Sequence, residues 1–378
     1  MSIAIIDARE WQNVFDLHTS DKVEDTSPCV NMVKGVLARH HYPGDTDASC
    51  NAWVTDTALD LIKEYEPRFV WLIYAHQFLN CRHIKMTAQE REAMFAAAAE
   101  EINRFIDESG FTPVIIGSGT LTPVERYADI GRLDGLVSVV QSLHFGGIHE
   151  PSAADLDMLR HSPDIARLVS KDDFRSLFPE AECDTDRLPD YLFEAKPGVG
   201  FKSAGGFERQ ILEVNSTCRF VPVSSHIGNV SDIRQIRSLI ESGLKSQKIA
   251  LIIAEGFGER EFVWPYSMAA NGREWFFYET GDGQYLTISA GAHRPFDFPV
   301  GYRHIDEAIN STEYPLSGYF LSMPQGMICE GFEDKSIAVG NRSMLTHTIP
   351  MADVSIECFA RNMYNQGILG VIHRKNKL

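Results

Sequence analysis

Residues 69–75, FVWLIYA, constrain this chain more than any other stretch. An unbroken apolar run of strand length is a strand covered on both faces, because a half-exposed strand alternates apolar and polar residues. Strands of that kind belong to parallel sheets with helices on both sides, so the run predicts an α/β fold. The segment after it, HQFLNCRH, reads as a loop at the strand's carboxyl end. Open α/β sheets place their ligands at that edge. His76, Asn80 and His83 are therefore candidate site residues as well as ordinary loop residues.

The rest of the chain repeats the alternation of short apolar blocks with helix-period segments. Strands are expected at 3–7, 69–75, 112–116, 209–214, 220–224 and 249–255. Helices are expected at 28–39, 55–64, 87–109, 152–160 and 230–242. Gly110 stops the long alanine- and glutamate-rich helix. WFFYETGDGQYLTIS, residues 275–289, reads as a hairpin around a Gly-Asp-Gly turn. Further strands are expected at 318–322 and 336–339, and a C-terminal helix at 351–364. Residues 196–206, KPGVGFKSAGG, read as flexible. The expected architecture is a mixed or mostly parallel sheet flanked by helices. It is built from residues 1–149 and 207–378, with 150–206 as an inserted or capping segment.

The 378 residues are enough for one large α/β domain or two ordinary ones. A net charge of −17 repels nucleic acid and anionic membrane surfaces, so neither is an expected partner. Seven cysteines, irregularly spaced and without a CxxC pair, predict reduced thiols and a cytoplasmic location. MSIAIIDAREW has neither the basic region nor the small-residue cleavage site of a signal peptide. No apolar run reaches the roughly 20 residues that span a bilayer.

Several residues are suited to chemistry. Asp7 ends the first strand, where a carboxylate can hold a divalent cation or cap a turn. Thr26 and Ser27 precede a helix, whose electropositive end favours a phosphate or a metal-bound alkoxide beside a hydroxyl; a plain N-cap is the other reading. The turn Gly117, Ser118, Gly119, Thr120 leaves a strand and can present backbone N–H groups to a phosphate, or can be a tight turn and nothing more. His144, His149 and Glu150 are metal-capable, but their spacing is not that of HExxH. Glu255 ends a strand, where a carboxylate can act as a base, a ligand or a terminator.

In their order IAIIDA, TSPCVNMVKG, FVWLIYAHQFLNCRH and the long segment from Met86 to Val124 make residues 1–125 resemble the alkaline phosphatase superfamily, especially its nucleotide pyrophosphatase and phosphodiesterase branch. The resemblance implies a metal-dependent phosphoric ester hydrolase acting on a small phosphorylated molecule, with zinc or manganese as the divalent metal. It matches Asp7 to a metal-binding aspartate, Thr26 or Ser27 to the nucleophile, and His83 to a loop histidine. His293 is the candidate for the pattern's last histidine. Three ligand positions depart from the pattern: Leu79 stands where an aspartate is expected, and Ser118 and Gly119 where an aspartate–histidine pair is expected. The resemblance thus implies either a hydrolase with a degenerate metal site or a non-catalytic member that binds a small ligand or a protein. A nucleotide or phosphosugar protein using Gly117–Thr120 is the further alternative.

Overall fold

The structure is a computed structural model. It describes residues 4–7, 14–15, 28–44, 46–130, 132–139, 144–177, 189–201, 211–214, 219–271, 282–292, 332, 335–341 and 352–357. In chain order the first half contributes β1 (Ala4–Asp7), β2 (Val14–Phe15), α1 (Pro28–Arg39), α2 (Cys50–Tyr65), β3 (Phe69–Tyr74), α3 (His76–His83), α4 (Ala88–Ser109) and β4 (Thr112–Gly117). Then come β5 (Leu121–Pro123), β6 (Arg126–Ala128), β7 (Leu136–Val139), β8 (Phe145–His149), α5 (Ala153–His161), β9 (Ile165–Ser170), α6 (Lys171–Leu177), β10 (Tyr191–Ala195), β11 (Val199–Phe201) and β12 (Leu212–Val214). The remainder is β13 (Phe220–Ser225), α7 (Gln235–Leu244), β14 (Ile249–Ala254), β15 (Ser267–Ala270), α8 (Asp282–Ala290), β16 (Ser336–Gly340) and β17 (Val354–Glu357).

The fold is α/β. Nine of these strands form one mixed sheet in the order β15-β13-β4-β14-β3-β16-β17-β1-β2. The strands from β4 to β1 in that order run parallel, and antiparallel strands close both edges. β3 lies at the centre, with all six residues buried. Alternate residues feed two cores. Trp71 and Ile73 pack on the side of α7 and α8, whereas Val70, Leu72 and Tyr74 pack on the side of α1, α2 and α4. Two covered faces are the physical reason that FVWLIY carries no polar residue.

Local chemistry sets the helix ends. Thr87 accepts from the Glu90 backbone N–H while Glu90 returns a bond to the Thr87 N–H, and Gly110 stops α4 in the left-handed conformation. Ser152 and Asp155 make the same reciprocal box at the start of α5. Among the described residues no helix is long and apolar enough to cross a membrane.

A second, four-stranded antiparallel sheet has the order β7-β8-β10-β9. One face of it, carrying Phe145, Val169 and Leu192, joins the α7/α8-side core. The other, with Ile148, Ile165 and Phe193, forms a small core with Phe201 and Leu159. Gly146 is a glycine because an added Cβ would meet the Phe193 ring at 2.5 Å.

The structure corrects four local expectations. HQFLNCRH is helix α3 and not a loop; its bonds include Leu79 N–H to Ala75 O and Ile84 N–H to Asn80 O. The second half of the expected hairpin is α8, where Tyr285, Leu286 and Ile288 are buried by tertiary packing that overrides their strand preference. Val354–Glu357, inside the expected C-terminal helix, is a strand between β16 and β1, with Val354 and Ile356 alternating into one core. Val199–Phe201, in the stretch read as flexible, is a buried strand parallel to β6. The strand expected at 318–322 lies outside the described residues.

Candidate functional site

The parallel strands all present their carboxyl ends along one edge of the large sheet, and the polar residues gather there. Asp7 ends β1 and is the register partner of Glu357, which ends β17. Two carboxylate-bearing residues thus occupy adjacent strand ends. Asn341 follows β16, Ala75 and His76 follow β3, Glu255 follows β14, and Ser118 follows β4.

The middle of this edge is a closed network of side-chain amides. Asn341 accepts from the Ala75 backbone N–H at 2.7 Å and donates to Asn51 Oδ1 at 2.8 Å and Cys50 Sγ at 3.2 Å. Asn51 donates to Gln77 Oε1 at 3.0 Å and accepts from the His76 N–H at 3.4 Å. Gln77 then donates to the carbonyls of Tyr74 at 2.8 Å and Glu255 at 2.7 Å. All three amides are buried. Each side-chain nitrogen and oxygen of the trio has at least one partner, which is what makes such a cluster tolerable in a core. The network joins α2, α3 and the ends of β3, β14 and β16.

The positions at which the family pattern expects metal ligands are occupied differently. Leu79 packs against the α7/α8-side core. Ser118 Oγ accepts from the Gly256 N–H at 2.7 Å, and the Ser118 N–H goes to Ala254 O. Gly119 has φ +120° and donates its N–H to Phe257 O. In the turn Gly117–Thr120, the N–H groups of Ser118 and Gly119 are therefore already paired within the protein. Gly117 lies so close to the next turn that a Cβ would meet Phe257 O at 2.3 Å.

His83 is the last residue of α3 and keeps solvent-exposed surface, while partial burial of its ring, with the Arg82 cation second, pushes its pKa down to about 4. Asn80 is buried and donates to His76 O within its own helix. His76 is lowered chiefly by burial, against a bond with Thr46 O and the charge of Asp47. His144 lies away from the edge, its Nδ1 on Val199 O at 2.9 Å, which makes Nδ1 the protonated nitrogen. Thr26, Ser27 and His293 lie outside the described residues.

Among the described residues no group of three or more His, Cys, Asp or Glu could hold a metal ion. The amide trio, Leu79 and the committed Ser118 hydroxyl do not fit a two-metal centre, which needs several carboxylates and imidazoles around two ions. Asp7, Glu357 and Glu255 are the carboxylate residues at these strand ends, the residue type that a hard cation takes.

Sequence reasoning missed Glu357, Asn51, Gln77 and Asn341. The alternation in VSIE was the available signal for Glu357. Nothing local marks the amides, because Asn341 and Asn51 meet across 290 residues of chain.

The fold is α/β, and the carboxyl ends of its parallel strands form the edge at which open α/β sheets generally place ligands. No protein-family model matches the chain, and no curated protein matches it. Two crystal structures of phosphonoacetate hydrolase from Sinorhizobium meliloti 1021, one in complex with phosphonoformate and one with phosphonoacetate, are similar to it at a TM-score of 0.37, with 12% and 11% identity. Each match covers 56% of this chain and 62% of that enzyme.

Proposed function

We propose that this chain is a phosphatase-like or phosphodiesterase-like scaffold with an incomplete metal site, and that it binds a small phosphorylated molecule at the carboxyl edge of its large sheet. The observation that supports this reading is the divided chemistry of that edge. Asp7 and Glu357 stand side by side at the ends of β1 and β17, while the neighbouring ends of β16 and β3 are closed by satisfied amides. Any hydrolysis would rest on Thr26 or Ser27 as the attacking hydroxyl, with Asp7 and Glu357 as the acidic residues nearest in character to a cation site. His83 and His293 are the imidazoles proposed for the same site.

The alternative is a non-catalytic member of the same scaffold. It is favoured by the Asn51–Gln77–Asn341 network, in which every side-chain nitrogen and oxygen is already bonded within the protein. Metal content of protein purified without chelators separates the two, together with hydrolysis of generic phosphomonoesters and phosphodiesters. The hydrolase reading expects about one zinc or manganese per chain. It also expects Asp7→Ala or Glu357→Ala to remove that metal, and either Thr26→Ala or Ser27→Ala to abolish turnover at nearly unchanged melting. A metal-free, inactive wild type whose melting ignores chelation would leave the binding role.

A further inference from the structure

Among the described residues six large apolar side chains are exposed, and four of them fall at one border of the large sheet: Phe220, Val263, Tyr266 and Met268, from 37% to 64% exposed. The register accounts for three of the four. β13 and β15 pair Phe220 with Ala270 and Pro222 with Met268. Val221, Val223 and Ala269, the residues between, point into the core on the α7/α8 side. Phe220 and Met268 therefore share the opposite face. Tyr266 leads into β15 and turns the same way, its ring 5.6 Å from that of Phe262 in the opposite core. That core takes no residue from β13 or β15, so this last strip of the sheet lies beyond the helix layer. The outer edge of β15 is already occupied: the Ala270 N–H donates to Ser231 O, and Ala270 O accepts from the Ile233 N–H. A partner thus meets a face of the sheet here and does not add a strand to it.

The two ends of the strip carry different charges. Arg219 stands beside Phe220 at one end. At the other, Glu259 accepts from the Tyr266 hydroxyl at 3.3 Å, and Arg260 follows it in the chain. All three are exposed, and neither arginine makes an ion pair among the described residues. We infer that the strip is a docking face for a second copy of this chain, related by a two-fold axis. Such an axis lays each end of the strip on the opposite end of the other copy, because one patch serves both. Arg219 then faces the partner's Glu259, twice over, and the apolar side chains between them cover one another. The four side chains offer on the order of 300–400 Å² of apolar surface, taking about 150–250 Å² for an aromatic one. One side of a standard interface is about 800 Å², with a little over half of it apolar, so the strip supplies most of that share. Chains of net charge −17 repel each other, and a strip bordered by two arginines and one glutamate is where that repulsion is locally relieved. This face is separate from the acidic strand ends and does not rest on the hydrolase reading.

The test is sedimentation velocity of the full chain, with protein raised to about 100 µM. A reversible monomer–dimer equilibrium is expected. Phe220→Asp and Met268→Asp should each leave a monomer with unchanged circular dichroism, because both side chains are exposed and bury little in the single chain. Arg219→Glu and Glu259→Arg should each weaken the dimer about tenfold, since the axis repeats every like-charge contact twice. The double variant Arg219→Glu with Glu259→Arg should recover most of the loss, because it restores both opposite-charge pairs. That recovery is specific to a two-fold strip-on-strip arrangement and needs no variant that perturbs the core. The inference is overturned if the wild type stays monomeric throughout, or if its dimer ignores Phe220→Asp and Met268→Asp. It is overturned equally if the two charge reversals add and do not compensate, or if a monomeric chain uses the strip to hold a different protein.

Discussion

His83 and His76 both resist protonation, His83 down to about 4 because of partial burial and then Arg82, and His76 chiefly through burial. Each ring has a lower pKa in the folded state than the ordinary 6.5, so the unfolded chain takes up the proton first as pH falls. The stability held by the neutral rings is complete above 6.5 and drains as pH falls from there towards about 4. Solvent around the exposed His83 screens part of its share. The carboxylates of Asp60 and Asp155 fall outside this window: burial raises them, hydrogen bonds more than reverse it, and both titrate below 3.8. Melting measured between pH 7 and 4 should therefore decline, and His83→Gln should flatten the decline. An unchanged slope in His83→Gln would assign the whole effect to His76. Residues of this kind were legible in the sequence as polar groups beside an apolar strand. Their solvent exposure and partners were not, because those depend on α3 being a helix.

At the scale of elements, the amide network acts where hydrogen bonding between strands has ended. β16 stops pairing with β3 at Gly340 and Ile73, and the next residue, Asn341, takes the Ala75 N–H in place of a backbone carbonyl. Asn341→Ala would strand that N–H and deprive Asn51 Oδ1 of one donor, both in a buried setting. An unsatisfied buried group costs about 1–3 kcal/mol, so a loss of about 2–5 kcal/mol is expected in urea denaturation. Gln77→Ala should cost a similar amount, and the double variant less than the sum, because both sit in one network. A loss for Asn341→Ala below about 1 kcal/mol would mean that water substitutes for the amide. Elements announced themselves in the sequence where one physical signal dominated. The two-sided apolar runs gave β3 and β14, and the alanine- and glutamate-rich stretch stopped by Gly110 gave α4. α8 and β17 were misread because their states are set by what packs around them. QYLTIS has strand-forming residues but lies inside a core, and VSIE is too short for its alternation to outweigh the helical pattern around it.

For the molecule as a whole, the alternation of apolar blocks with helix-period segments indicated an α/β fold, but no local pattern gave the strand order or the partnership between the two sheets. β10 shows how the sheets are joined. Leu192 points into the core shared with the large sheet, and its neighbour Phe193 points into the small core with Phe201, 5.0 Å away between ring centroids. A sheet buried on both faces cannot leave the large sheet without exposing Phe145, Val169 and Leu192 to water. The expected consequence is one cooperative unfolding transition that includes both sheets. Leu192→Ala should cost about 2–5 kcal/mol and Phe193→Ala about 3–5 kcal/mol, the usual range for emptied core sites. Both should shift the same single transition, seen identically by calorimetry, far-ultraviolet circular dichroism and tryptophan fluorescence. The two variants differ in what a failure would mean. If Phe193→Ala splits the transition while Leu192→Ala does not, the small core melts by itself and the shared face is too weak to couple the sheets. If Leu192→Ala splits it, the shared face is what held them together, and its loss uncouples two bodies that each remain folded.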